Sequence, residues 1–405
     1  MCFICRYPKE IAGLVRGPGP VSGAFAALLA VPGKAHYLGA EFTNWGGRMK
    51  GAMRHFRWPF IMTIAGMVAI FWLGWSYSQS FGAAFAFLVI GVVLIILEIS
   101  LSFDNAIVNA NKLRTMSPVW QKRFLTWGIL IAVFGMRIVF PLVVVAVAAR
   151  IGPLEAFSLA VGDPKEYARI MHDAHVSIAG FGGAFLMMVA LTYFIDEGKE
   201  VDWIKALEVQ LRRWASIRGL QITLVLLAVL GVATQLPEHD VARFLSSAMF
   251  GLVIFTGVEA LGQALDRQPE AGSIARVGGL GAFLYLEVLD ASFSFDGVIG
   301  AFALTQNFFL IAIGLGVGAM YVRSMTIMLV EKQTLAQFRY LEHGAFYSIL
   351  VLALIMFAQT LWSIPELVTG LIGAGLIGIS LWSSVRYNKS REATEEFGQS
   401  DQNSP

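Results

Sequence analysis

The chain is poor in charge. Of 405 residues, 14% are Asp, Glu, Lys or Arg, where a soluble protein of this size carries about 25%. That shortage argues against an ordinary water-soluble domain. Thirty Lys and Arg against 28 Asp and Glu leave a net charge of +2, with the basic residues spread over connecting segments. Nucleic-acid binding, which needs a basic stripe, has no support. Cysteine is almost missing: Cys2 and Cys5 stand alone near the N-terminus. A disulfide scaffold is thereby excluded, and this single Cys-x-x-Cys is assigned no role. What the chain does have is 57% apolar residues, a mean hydropathy of +0.66, and recurring apolar runs long enough to cross a bilayer as helices. The expected fold is an all-α, polytopic membrane bundle.

From Trp58 onward, ten spans are expected at about 58–78, 82–110, 125–149, 176–195, 219–236, 241–265, 275–304, 307–329, 344–363 and 366–386. With the N-terminus inside, the cytoplasmic loops collect Lys112, Arg114, Lys122 and Arg123, then Lys199 to Arg218, Arg267 and Arg276, and Lys332 and Arg339. The opposite loops at Gln79-Ser80, Gln235–Asp240, Gln306-Asn307 and Ser363–Glu366 hold no Lys or Arg. Residues 150–175 are mixed in charge. This alternation follows the positive-inside rule and predicts both termini in the cytoplasm, with the protein multi-pass in the inner membrane. Residues 1–57 lack sustained periodicity and are expected to be a disordered tail or to follow a mis-assigned start. Residues 387–405 are polar and expected to be a disordered cytoplasmic tail. The basic stretch from Lys199 to Arg218, with Trp203 and Trp214, reads as a helix lying on the cytoplasmic leaflet.

One stretch repeats. Glu98-Ile-Ser-Leu-Ser-Phe-Asp104-Asn105 returns 192 positions later as Asp290-Ala-Ser-Phe-Ser-Phe-Asp296-Gly297. The copies fall in the second and seventh spans, five crossings apart, so they run in opposite directions through the bilayer. Two inverted-topology repeats follow, residues 58–236 and 237–386, an arrangement of many secondary transporters. Arg137 and Arg323, 186 positions apart, echo each other in the third and eighth spans. His175 and His343 do so at the starts of the fourth and ninth, each just after an acid, and read as capping or hydrogen-bonding residues.

An Asp at a helix centre costs about 2.5–3.5 kcal/mol against a gain of about 0.3–0.6 per Leu or Ile. Acidic residues planted twice at membrane depth therefore call for compensation, and a bound cation supplies it. The candidate ligands are Glu98, Ser102, Asp104, Asn105, Asp290, Ser294 and Asp296, with Glu287, Glu259 and Asn109 as further ligands or proton relays. This oxygen-only set suits Mg²⁺, Ca²⁺ or Mn²⁺. Four carboxylates against Arg137 and Arg323 leave a charge of −2, one divalent cation's worth. The two arginines read equally well as structural ion pairs. On a continuous helix Glu98, Ser102, Asn105 and Asn109 share a face and Asp104 leaves it. Either both faces are buried or the helix unwinds within the motif.

These residues resemble the TerC family of integral membrane proteins. Glu98, Leu101, Ser102, Asp104 and Asn105 match its first signature, and Glu287, Asp290, Phe293 and Asp296 its second. Ser294 stands in place of the family's Ala, and Gly297 where the main branch continues Ser-Ile-Pro. The run Phe181-Gly-Gly-Ala-Phe-Leu186 is also similar, and the resemblance covers roughly residues 58–386. It implies export of a divalent cation, chiefly Mn²⁺, with Ca²⁺ second, as substrate and with no organic cofactor. The expected function is thus a secondary transporter, not an enzyme, whose partners are the metal ion and the lipid bilayer, and for which a homo-oligomer is a candidate assembly. Protons are a candidate counter-ion, because ligating carboxylates must be deprotonated to bind metal. The rivals are an intramembrane hydrolase, in which buried aspartates activate water, and a non-transporting scaffold for metal loading or tellurite resistance.

Overall fold

A computed structural model describes residues 55–196, 198–199, 201–217, 219–266, 279–332 and 337–402. The expected tail at residues 1–57 lies almost wholly outside them, as do Cys2 and Cys5. Among the described residues all regular structure is helical. The first half contains α1 (Arg57–Ser78), α2 (Phe81–Leu101), α3 (Phe103–Arg114) and α4 (Pro118–Leu130). A π-helical segment (Ile131–Val139) then leads into α5 (Phe140–Ala149), followed by α6 (Pro153–Gly162), α7 (Pro164–Asp173) and α8 (His175–Phe194). After these come α9 (Lys205–Arg213), α10 (Leu220–Ala233) and α11 (Glu238–Asp266). The chain closes with α12 (Leu280–Leu304), α13 (Phe308–Glu331), α14 (Leu341–Gln359) and α15 (Glu366–Gln402).

Eight of these helical stretches are long and apolar enough to cross a membrane. Two more occupy expected spans: α10 is shorter, at 14 residues, and α12 is set apart by Glu287, Asp290 and Asp296. The chain is a polytopic helical membrane protein. Its outer helices expose large apolar side chains such as Trp58, Ile64, Val68 and Trp72 on α1 and Phe81 and Phe85 on α2. Water would not tolerate so much contiguous apolar surface, and lipid does. By contrast, α8, α13 and α14 bury most of their residues and form the middle of the bundle.

Small residues let these helices approach. A methyl group on Gly183 would overlap the Phe357 ring, and one on Gly251 the backbone of Phe181. Matching elements of the two halves lie against each other head to tail. Gly297 of α12 backs onto the Glu98 carboxylate, while Asn109 of α3 bonds Asp290 of α12. As one chain ascends from 98 to 109, the other descends from 297 to 290. The same reversal holds for the third and eighth spans, where Val133 meets Gly316 and Gly128 meets Arg323. It holds again for α8 and α14, where Gly183 meets Phe357 and Tyr193 stacks on Phe346. Outer helices depart from this pairing: α1 packs on α2 and α13, whereas α11 packs on α8 and α12.

Two irregularities sit at the motif. Between α2 and α3, Ser102 adopts φ −104° and ψ 12°, the sparsely populated bridge region, so the second span is two helices meeting at one residue. The second copy does not unwind: α12 continues through it, with Ser292 returning its hydroxyl to the Val288 carbonyl. The third span relaxes into the π-helix just before Pro141, whose missing N–H removes one α-helical bond and loosens the register.

Three further elements differ from the sequence reading. The mixed stretch 150–175 folds into α6 and α7, where Tyr167 packs on Phe302 and Phe308. The final helix reaches Gln402 through the segment expected to be disordered. That segment carries helix-forming Ala393, Glu395 and Glu396. The basic stretch after Lys199 forms α9, which keeps most of its residues at the surface but turns one charge, Glu208, inward.

Candidate functional site

The site begins where α2 breaks. Glu98, 2% exposed, lies one turn before Ser102, and the Ser102 hydroxyl donates to its Oε1 at 3.0 Å. Arg137 reaches in from the π-helical segment and donates to that same oxygen through Nη2, while Nη1 bonds the Ala132 carbonyl at 3.0 Å. The widened turn brings that carbonyl within reach of the guanidinium. Gly318 of α13 makes room for the Glu98 stem, since a methyl there would overlap it. The first motif's acid is therefore a buried, paired charge.

The second motif is paired less completely. Asp290 accepts a hydrogen bond from the Asn109 amide at 2.7 Å. Glu287 and Arg323 come together beside Gly128, where a methyl would strike both. Even so, both Glu287 oxygens and the Nε and Nη2 of Arg323 lack a hydrogen-bond partner. Arg323 instead lies 3.7 Å over the Phe124 ring, a contact worth about 2 kcal/mol when desolvated. The two halves are thus related but not equal. Glu98 meets Gly318 and Arg137 in the first, and Glu287 meets Gly128 and Arg323 in the second.

Between the motifs lies a small void whose polar lining includes Ser102, Asn105, Asn109, Arg137, Asp290 and Arg323, with Ala132, Ala319 and Val322 adding apolar wall. Two amide oxygens in its wall, Oδ1 of Asn105 and Oδ1 of Asn109, are buried with no donor. An unmet acceptor of this kind costs about 1–3 kcal/mol, so two in residues lining one void are expensive unless a donor or cation reaches them. Among the described residues no three His, Cys, Asp or Glu side chains gather closely enough to hold a metal by themselves. The oxygen donors around the void are mixed, with a carboxylate joined by amides and a hydroxyl.

The sequence-predicted residues divide accordingly. Glu98, Ser102, Asn105, Asn109 and Asp290 share this region with Arg137 and Arg323. Asp104 does not join them; beyond the break at Ser102 it accepts from Ser348 of α14 at 2.9 Å. Ser294 is buried, and its hydroxyl has no partner. The Asp296 side chain lies outside the described residues. Glu259 is exposed on α11 and is not part of the cluster. His343 is buried and bonded to the Val201 carbonyl at 2.8 Å and to Tyr193 at 3.3 Å. His175 is partly exposed and packs its ring against His172.

Sequence reasoning missed the partners that only the fold supplies. Ser348 and Thr369, single hydroxyls in apolar runs, line a second void with Asp104. Glu208 forms a third buried acidic site, bonded to Lys199, Tyr347 and the backbone N–H groups of Trp203 and Ile204. Nothing in the local pattern of α9 separates Glu208 from an ordinary solvated charge. No curated protein and no solved structure matches this chain. Residues 103–391 match the model of a family described as a protein of unknown function, DUF475; since that is most of its length, the chain belongs to this family.

Proposed function

We propose that this protein is a secondary transporter that carries a divalent metal cation, Mn²⁺ first and Ca²⁺ second, out of the cytoplasm across the inner membrane. The observation that carries this reading is the pair of donorless amide oxygens on Asn105 and Asn109, two residues that line one void with Asp290 between antiparallel motif helices. Such a set is hard, oxygen-only and partly anionic, which is what Mn²⁺ or Ca²⁺ takes. The break at Ser102 lets α2 and α3 move as separate halves on either side of the site, a device of alternating-access transporters. Arg137 pairs with Glu98. Arriving cargo would draw Glu98 toward itself and release the guanidinium. The likeness to TerC proteins and the alternation of basic loops support the same direction and a cytoplasmic placement of both termini.

The test is Mn²⁺ flux into proteoliposomes containing the parent, Asp290→Asn, or Asn105→Ala combined with Asn109→Ala. Flux in the parent, and its loss in both variants, is expected. Parental flux in folded Asp290→Asn would remove the site assignment. One observation favours a second reading: the partnerless Nε and Nη2 of Arg323 suit an oxyanion. Flux of an oxyanion that Arg323→Met abolishes, with no Mn²⁺ flux in the parent, would replace the cation reading.

A further inference from the structure

The void at Asp104 is separate from the one between the motifs. It lies where α3 meets α14 and α15, and its polar groups are Asp104, Ser348 and Thr369, with Ser100 at the rim. Asp104 is 5% exposed, and its carboxylate accepts from the Ser348 hydroxyl at 2.9 Å and the Asn105 N–H at 2.8 Å. Both donors are neutral. Among the described residues no Lys, Arg or His pairs with Asp104, whereas Glu98 has Arg137. A buried carboxylate without a counter-charge is a costly arrangement.

Thr369 gives a second, independent pointer. Helical Ser and Thr usually return their hydroxyl to a carbonyl one turn back, as Thr63, Ser292, Thr326 and Ser384 do here. Thr369, also 5% exposed, makes no such bond, and its Oγ1 has no partner at all. It faces the same small void as Asp104. The remaining walls are apolar, among them Phe293, Leu352 and Ile355, so an organic ligand finds neither room nor polar partners. The repeat that aligns His175 with His343 places Gly180 opposite Ser348, so this hydroxyl belongs to one half only.

We propose that Asp104, Ser348 and Thr369 bind one small monovalent cation, Na⁺, at a site distinct from the divalent-cation void. One carboxylate balances one positive charge, and two hydroxyl oxygens supply neutral hard ligands. The role of this ion as the partner that drives transport rests on the transport reading above; the binding site itself does not.

The experiment is ²²Na⁺ binding to purified protein in nanodiscs, with choline holding ionic strength constant. One Na⁺ per chain is expected for the parent, with binding abolished in Asp104→Asn and weakened at least about tenfold in Thr369→Val. The Thr369→Val variant keeps both side-chain volume and the carboxylate, so it guards against a folding defect in Asp104→Asn. Absence of Na⁺-specific binding in the parent, or parental affinity in either variant, overturns the site. Mn²⁺ flux in proteoliposomes reads the transport proposal independently. Na⁺ binding without any Mn²⁺ flux leaves this site standing and removes that reading, while Mn²⁺ flux without Na⁺ binding does the reverse.

Discussion

Two buried acids in this molecule meet opposite fates. Glu208 is fully answered: Lys199 lies 2.5 Å from Oε2, Tyr347 donates to Oε1 at 3.0 Å, and the Ile204 N–H adds a bond of 2.9 Å. His343 stands 3.5 Å from the same carboxylate, itself held by Val201. Glu287 has no hydrogen bond on either oxygen, and the arginine beside it leaves two nitrogens unmet. A satisfied network in a low-dielectric interior rigidifies, whereas a half-satisfied one is costly and persists where something else completes it. Glu208 therefore fastens the turn before α9 to α14, while the region of Glu287, Asp290 and Arg323 is left incomplete by its own side chains, and it is there that the proposed function puts the passenger.

The largest effects should separate the two regions most cleanly. Asp290→Asn removes a ligating charge while keeping shape and the bond from Asn109. Mn²⁺ flux is expected to fall by about a hundredfold or more, with thermal stability in detergent unchanged or raised, since deleting an incompletely paired buried charge relieves a desolvation cost. A fall in stability that matches the loss of flux would make Asp290 a structural residue. Glu208→Ala should do the opposite. It strands Lys199 and unties Tyr347, at a cost of about 3–5 kcal/mol, yet folded protein should retain its affinity for metal. A change in the concentration of Mn²⁺ giving half-maximal flux, with stability intact, would place Glu208 in the transport path.

The contrast also explains what the sequence made legible. Glu98, Asp290, Arg137 and Arg323 broke the apolar pattern of their runs, and a charge at membrane depth is conspicuous whatever the fold. Their antiparallel placement followed from counting crossings. Glu208 sat in a helix where charges are ordinary, so its burial was invisible until α14 brought Tyr347 and His343 to it. Ser348 and Thr369 carried no signal of their own, and their importance lies in which void they face. Glu259 shows the converse error: charge within a span was readable, but which side of α11 it occupied was not. Asp104 joins Glu98 in the repeated motif, yet even a continuous helix turns it off the Glu98 face, and only the fold shows that Ser348 is what it meets there.

A subtler change tests how closely the first region is fitted. Gly318→Ala puts a methyl where the Glu98 stem and the Ile95 carbonyl already lie. Either α13 withdraws from α2 or Glu98 swings away from Arg137. Overpacking of this kind costs about 1–3 kcal/mol, and flux should fall with it. Unchanged stability and flux together would mean that α2 and α13 are not held in close contact.

The smallest expected effect is a pH dependence, and it belongs to the satisfied region. Burial alone pushes the Glu208 carboxyl up, but the Lys199 hydrogen bond, the Ile204 N–H and the charge of Lys199 together hold it below the usual glutamate value. A carboxylate depressed in the folded state stabilises above its unfolded pKa of about 4.3, and that contribution drains away as pH falls through the lower folded value. Thermal unfolding in detergent should therefore show the parent losing stability on acidification below about pH 4.3. Glu208→Gln should be less stable at neutral pH and flatter across that window. Equal slopes in parent and variant would mean that Glu208 is not ionised in the fold, and the contrast with Glu287 would then have to rest on geometry alone.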